Sequence, residues 1–265
     1  ADKMPVPACW ENLVGRGYDV PNYTNITYPF PVEPPKVPEK NPTALYTRTV
    51  SIPADFLAKK EIFMNFEGVA SCFYLFVNGV FAAYSEVSHC TSEINVTDLV
   101  HAGENRIDVL VIKFCTGSYL EDQDMFRAGG IFREVYLLAR DKKRIEDISV
   151  TCELTPKFTK ATFTAKLTGT LQKNAAVCLL DADGSDTGAV CAMDHIDGTV
   201  HCTLQKPKLW SSEVPYLYKL YIQNGSEHIL LPVGARKIEV RDRVIYINGK
   251  KVKARGVNRH DSHPY

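Results

Sequence analysis

Apolar and polar positions along the chain alternate mostly with a period of two, in short runs broken by turn residues. ATFTAKL (161–167) is the cleanest case, with Ala161, Phe163, Ala165 and Leu167 on one side and polar residues on the other. LYTRTVSI (45–52) alternates in the same way, and EIFMNFEGV (61–69) does so less cleanly. CFYLFVNGVFAAYSE (72–86) is two apolar runs joined by Asn78-Gly79, a pair that favours a hairpin turn with positive φ at both positions. INVT (94–97), NRIDVLVIKF (105–114) and residues 131–138 continue the series. In the second half, strands are predicted at ISVTCEL (148–154), ATFTAKL, AVCLLDA (176–182), GAVCAM (188–193), TVHCTL (199–204), YLYKLYI (216–222) and HILLPVG (228–234). Many short strands and few helical periods predict an all-β chain of antiparallel sandwiches. Seven strands in about a hundred residues suit an immunoglobulin-like sandwich, although no antibody-type Cys–Trp–Cys pattern is present.

A length of 265 residues favours more than one domain. The charged joint RDKKRIED (140–147) divides the chain into a first domain at 1–140 and a second at 141–240, with a tail at 241–265. Nine prolines fall between Pro5 and Pro42. Such a stretch cannot be helix and pairs poorly inside a sheet, so it is expected to run extended over a surface, where long ordered loops are often functional. Trp210 reads as a core or interdomain anchor, and no chemistry is assigned to the second domain.

Charge removes several function classes. Lys plus Arg equals Asp plus Glu at 31 each, so nothing points to nucleic acid or to an anionic membrane. No apolar run approaches the roughly 20 residues of a membrane span. The opening ADKMPVPACWE lacks the apolar core of a signal peptide. The eight cysteines form no C-x-x-C pair and several sit within strand-like runs, which predicts reduced, partly buried thiols in a cytoplasmic protein. The N-x-S/T triplets at Asn25, Asn95 and Asn224 then read as chance matches.

The candidate chemistry concentrates at residues 117–140. Glu121, Asp122 and Asp124 are three acids in four residues, followed by the small turn Ala128-Gly129-Gly130. On extended backbone Asp122 and Asp124 share one side and Glu121 lies on the other. Arg127 and Arg133 are near enough in sequence to compensate part of the charge. An arbitrary acidic loop is most often a solvated turn; the alternative is a set of carboxylate oxygens offered to sugar hydroxyls or a hard cation. Asn25, in the proline-rich stretch, could exchange hydrogen bonds with hydroxyls, though a loop asparagine is commonly a turn residue. Tyr23, Tyr28, Tyr46, Phe73, Tyr74 and Tyr119 could stack on sugar rings, but aromatics in strand runs are more often core.

SYLEDQDMFRAGGIFREVYL resembles the signature of the β-galactosidases of glycoside hydrolase family 2. Four further stretches resemble that family in its order: residues 17–46, 102–114, 207–220 and INGKKVKARGVNRHDSHP at 247–264. The resemblance implies a jelly-roll sugar-binding domain, an immunoglobulin-like sandwich, and the start of a (β/α)8 barrel whose first strand ends at GVNRH. It implies that Asn25 and Asp124 bind substrate and that Asp124 also holds Na+. It makes His260 a catalytic group that touches the sugar and supports the transition state. Retaining glycosidases need two carboxylates about 5–5.5 Å apart; the family carries them as glutamates on later barrel strands, with Mg2+ bound by barrel residues. The chain is therefore expected to be the N-terminal part of a homo-oligomeric retaining β-galactosidase and inactive alone. The alternatives are a stand-alone carbohydrate-binding protein, or a β-glucuronidase or β-mannosidase of the same family.

Overall fold

The computed structural model describes residues 2–13, 17–24, 28–58, 60–121 and 125–258. Nearly all regular structure among them is strand, as the alternation predicts; the exceptions are a one-turn helix at Ala54–Leu57 and single 3-10 turns at Trp10–Asn12, Thr97–Leu99 and Thr116–Tyr119. Two compact units form, residues 1–142 and residues 143–258.

The first unit contains β1 (Ala8–Cys9), β2 (Asn22–Thr24), β3 (Thr43–Ile52), β4 (Lys60–Phe66), β5 (Cys72–Val77), β6 (Val80–Ser85), β7 (Ser92–Asn95), β8 (Gly103–Ile112), β9 (Met125–Arg127), β10 (Gly130–Ile131) and β11 (Val135–Asp141). One sheet runs β3-β8-β5-β6 and another runs β11-β4-β7. Alternate side chains face inward: Phe73, Leu75 and Val77 of β5 and Ile107, Val109 and Val111 of β8 pack with Ile62, Met64 and Phe66 of β4. The turn between β5 and β6 has Asn78 at φ 52° and Gly79 at φ 81°, as the dipeptide predicts. The Asn78 carboxamide does more than make the turn: its Oδ1 accepts the Arg106 N–H at 2.9 Å and its Nδ2 donates to Asn105 Oδ1 at 2.9 Å.

Two expected strands differ in extent. The run at 94–97 stops at Asn95, because Asn95 Oδ1 accepts both the N–H and the hydroxyl of Thr97, at 3.0 and 2.6 Å, and turns the chain. The run at 131–138 splits into β10, paired with β1, and β11, paired with β4.

The second unit contains β12 (Ile145–Leu154), β13 (Lys160–Gly169), β14 (Ala176–Leu180), β15 (Val190–Met193), β16 (Thr199–Gln205), β17 (Tyr218–Asn224), β18 (Glu227–Val233), β19 (Ile238–Arg241), β20 (Val244–Ile247) and β21 (Lys250–Lys251). Sheets β12-β13-β16-β15 and β14-β17-β18 enclose a core of Ala161, Phe163, Ala165, Leu167, Leu179, Val200, Leu204, Leu220 and Ile222. All four inward positions of ATFTAKL are buried. The expectation of eight reduced thiols is corrected here: antiparallel register sets Cys191 of β15 opposite Cys202 of β16, and the two are joined as a disulfide. Sequence spacing carried no sign of this, since strand register brought them together. The tail forms a small sheet, β19-β20-β21, and residues 252–258, expected to lead into a barrel strand, carry no strand.

Phe163 is 1% exposed and Ile196 is 98% exposed. Phe163→Ala is expected to cost about 3–5 kcal/mol of stability, whereas Ile196→Ala should change it by less than about 0.5 kcal/mol. Urea unfolding of the two variants checks both.

Candidate functional site

The acidic segment of the first unit is held from both sides. On its N-terminal side, β8 runs into Lys113, Phe114 and the turn Thr116–Tyr119. Ser118 closes that turn: its N–H donates to the Cys115 carbonyl at 3.0 Å and its hydroxyl accepts the Cys115 N–H at 3.0 Å. The proline-rich segment docks on the same turn. The Tyr28 hydroxyl donates to the Tyr119 carbonyl at 2.5 Å, and the Tyr119 hydroxyl donates to the Lys36 carbonyl at 2.5 Å. The Phe30 ring lies 5.4 Å from Tyr119 and 5.1 Å from Phe114, edge-on to both. Asn41 completes the attachment by bonding both the N–H and the carbonyl of Phe114, at 3.0 and 2.8 Å.

Glu121, the first of the three acids, has a structural job. Its carboxylate accepts the Ser71 hydroxyl at 3.0 Å and the Ser88 hydroxyl as well. Arg127 is buried, donates to the Ser118 carbonyl at 3.4 Å and lies over the Tyr28 ring. Arg133 instead donates to the carbonyls of His89 and Glu67, at 3.0 and 3.3 Å.

On the C-terminal side the segment is fixed by an ion cluster that sequence reasoning missed. Lys113, 1% exposed, donates to Glu11 Oε1 at 2.8 Å and Asp19 Oδ2 at 2.5 Å. Both oxygens of Glu11 also accept the Gly129 N–H, at 2.9 and 3.0 Å. The Trp10 N–H donates to the Gly129 carbonyl at 3.0 Å, and a Cβ on Gly129 would sit 2.0 Å from the Trp10 ring. Only glycine permits that approach. A lysine in the apolar run VIKF was the one available signal, because a buried ammonium demands partners. Burial works to raise the Asp19 pKa, but the Lys113 hydrogen bond and charge, with the Val20 backbone and Trp10 indole, hold it below the usual carboxylate range.

The predicted site residues Asn25, Asp124 and His260 all lie outside the described residues, as does Asp122. Their flanks are described. Antiparallel pairing of β2 with β9 sets Asn22 opposite Arg127, Tyr23 opposite Phe126 and Thr24 opposite Met125. Thr24 precedes Asn25 and Met125 follows Asp124. The Tyr23 and Phe126 rings are half exposed and 5.4 Å apart. The other aromatics are absorbed elsewhere: Phe73 is core, Tyr74 packs against Tyr84, and Tyr28 and Tyr119 anchor the loop. Among the described residues no three His, Cys, Asp or Glu side chains cluster in a way that could hold a metal ion.

Residues 1–141 match the model for the sugar-binding domain of glycosyl hydrolases family 2, and residues 143–236 match a second glycosyl hydrolases family 2 model. The two β-rich units thus correspond in order to two modules described for this family. The chain belongs to glycosyl hydrolase family 2. It is 41% identical over 263 residues to a β-galactosidase of Actinobacillus pleuropneumoniae, covering 99% of this chain and 25% of that protein. It is 40% identical over 262 residues to one of Staphylococcus xylosus, covering 98% and 26%. The chain thus spans about a quarter of the length of these curated relatives. Among solved structures, a β-glucuronidase of an uncultured Clostridium sp. superposes with a TM-score of 0.73 at 22% identity, over 94% of this chain and 41% of that one. A β-glycosidase of Bacteroides vulgatus does so with a TM-score of 0.69 at 25% identity, over 81% and 29%.

Removing Lys113 leaves two carboxylates without their cation, so Lys113→Met is expected to destabilise the first unit by about 3–5 kcal/mol. Adding Glu11→Gln and Asp19→Asn should recover part of that loss in urea unfolding. Because the Asp19 pKa is depressed in the folded state, its contribution is complete above the unfolded value of about 3.9 and is lost as pH falls through the lower folded one. An acid titration of stability should therefore be flatter for Asp19→Asn.

Proposed function

We propose that this chain is the N-terminal part of a retaining β-galactosidase, and that it supplies one wall of the sugar pocket while the glutamates that break the glycosidic bond lie in the remainder. The observation that carries this reading is the β2–β9 pairing, in which the residue before Asn25 is registered against the residue after Asp124. Two loops distant in sequence thereby leave one strand pair together, as a shared sugar site would require. The 40–41% identity to proteins named β-galactosidase supports galactoside as the substrate class.

In this reading Asn25 exchanges hydrogen bonds with sugar hydroxyls, and Asp124 accepts from them. Asp124 also supplies one oxygen to a Na+ ion, for which a carboxylate is a suitable hard donor. Glu121 is committed to Ser71 and Ser88, which leaves Asp122 and Asp124 as the acids for a ligand. His260 supports charge as the transition state forms, and Mg2+ is held by residues of the remainder. Homo-oligomeric assembly of the longer protein and a cytoplasmic location complete the proposal; six free cysteines support that location, with the Cys191–Cys202 pair the exception.

The longer protein is expected to cleave nitrophenyl-β-galactoside in preference to the β-glucuronide and β-mannoside, and the 265-residue chain alone to cleave none. Preference for either of the other two substrates would refute the assignment. Asp124→Asn in the longer protein should lower kcat/KM for the galactoside roughly 10–100-fold and weaken its dependence on Na+.

A further inference from the structure

The outward face of a sandwich sheet ordinarily carries polar side chains against water. The sheet β3-β8-β5-β6 departs from that rule. Antiparallel register lines up Leu45, Leu110, Tyr74 and Tyr84 as one row across its four strands. The row lies on the side opposite the core positions Phe73, Leu75, Ile107 and Val109. Three strand spacings of about 4.8 Å make it roughly 14 Å long. The next row is Thr47, Asp108, Phe76 and Phe81.

A bulge builds this surface. Along β6 the register goes from Ala83, opposite Leu75, to Phe81, opposite Phe76, and passes over Ala82. Phe81 and Tyr84 are three residues apart and would face opposite sides of a regular strand. The extra residue brings both out on one side, as bulges do when they re-aim a side chain. The Phe81 ring lies 5.8 Å from Phe76 and 6.4 Å from Tyr74, and Tyr74 lies 4.8 Å from Tyr84. Phe81 stays 54% exposed and Tyr84 42%. Aromatic area left together in water marks a binding surface.

Polar groups set among the rings choose the occupant. Asp108 stands on the central strand β8 between Thr47 and Phe76, accepts the Thr47 hydroxyl at 2.6 Å and pairs with Arg106 at 2.9 Å. At the β6 edge, Glu86 accepts the hydroxyls of Tyr84 and Thr116, both at 2.8 Å. A carboxylate has about four acceptor sites, so each acid keeps capacity for a ligand's hydroxyls. The buried centre of a protein–protein contact is depleted of charged groups, and Asp108 with Arg106 runs against that composition. A sugar chain, with apolar C–H faces and hydroxyl edges, fits rings and carboxylates side by side. Thr116 also opens the turn that leads into the acidic segment, so that turn is tied to the edge of this face.

We propose that the outward face of β5 and β6, centred on Phe81 and Tyr84, binds a neutral galactan chain at a place separate from the Asn25–Asp124 site. The rings take the C–H faces of the chain, and Asp108 and Glu86 accept its hydroxyls. The choice of galactan rests on the substrate class proposed above.

The 265-residue chain is run in native gels containing soluble β-1,4-galactan, and an apparent Kd is read from the retardation at each galactan concentration. The unaltered chain should be retarded. Phe81→Ala should weaken binding about 3–10-fold, and Phe81→Trp should preserve it. Tyr136→Ala, which removes an exposed ring from the other sheet, should leave it unchanged. An unchanged urea midpoint establishes that Phe81→Ala is folded. No retardation of the unaltered chain, or retardation that survives Phe81→Ala and Tyr84→Ala together, would overturn the proposal. So would retardation by a β-glucan in place of galactan. A dimer that Phe81→Ala turns into monomer, with retardation unaltered, would make the face a contact between copies and overturn it as well. Failure of the longer protein to cleave nitrophenyl-β-galactoside refutes the pocket reading alone, and retardation of the 265-residue chain is read independently of it.

Discussion

Burying an ammonium group costs several kcal/mol unless carboxylates and hydrogen bonds surround it, and the first unit is arranged around one such group. Lys113 sits at the end of β8 with Glu11 at 1% side-chain exposure and Asp19 at 15%. None of the three is stable there alone. The cluster therefore restricts where Glu11 and Asp19 can lie, since both acids must return to the ammonium. Glu11 extends the constraint by accepting the Gly129 N–H, so the turn after β9 is positioned by the same charges. Hydrophobic packing between the sheets is tolerant of small shifts, whereas a buried charge set leaves little slack; here it is the element that sets register for the irregular parts of the chain.

From Lys113 a series of short-range attachments continues into the acidic segment. Asn41 holds Phe114, Ser118 closes the turn on Cys115, Tyr119 ties to Tyr28 and Lys36, and Glu121 ends the series on Ser71 and Ser88. The segment resumes at β9, paired with β2 and followed by Gly129 under Trp10. The three residues before Asn25 and the three after Asp124 thus belong to a backbone ladder, while the turn at Thr116–Tyr119 and Glu121 are pinned by side chains from other segments. Flanks held in this way depend little on the intrinsic preferences of the residues between them.

How much of this was legible depended on the range of the interaction. Period-two alternation exposed the sandwich strands, and Asn78-Gly79 exposed its hairpin, because both are local. Asn95 ended its strand two residues early through a local side-chain bond that the apolar pattern did not reveal. The Cys191–Cys202 pair arises from the register of β15 on β16, and the Lys113 cluster from two acids 102 and 94 residues away in sequence, which composition and spacing do not encode. Glu121 was visible only as one acid among three; its separation from Asp122 and Asp124 follows from Ser71 and Ser88, 50 and 33 residues away in sequence. The family signature drew attention to this segment without showing which residues hold its described flanks in place.

The aromatic residues show how packing divides one residue type between two uses. Phe73 alternates inward on β5 and is lost to the core, and Tyr28 and Tyr119 have their hydroxyls committed to backbone carbonyls. Tyr23 and Phe126 belong to a ladder that has two strands among the described residues, and their rings are half exposed. An exposed aromatic pair next to polar loop residues is the kind of surface on which a sugar ring, with apolar C–H faces and hydroxyl edges, is held by contact and hydrogen bonds together. The placement of that pair follows from the β2–β9 register, and two residues past β9 the chain is held at Gly129 by Glu11, which the ammonium of Lys113 also bonds.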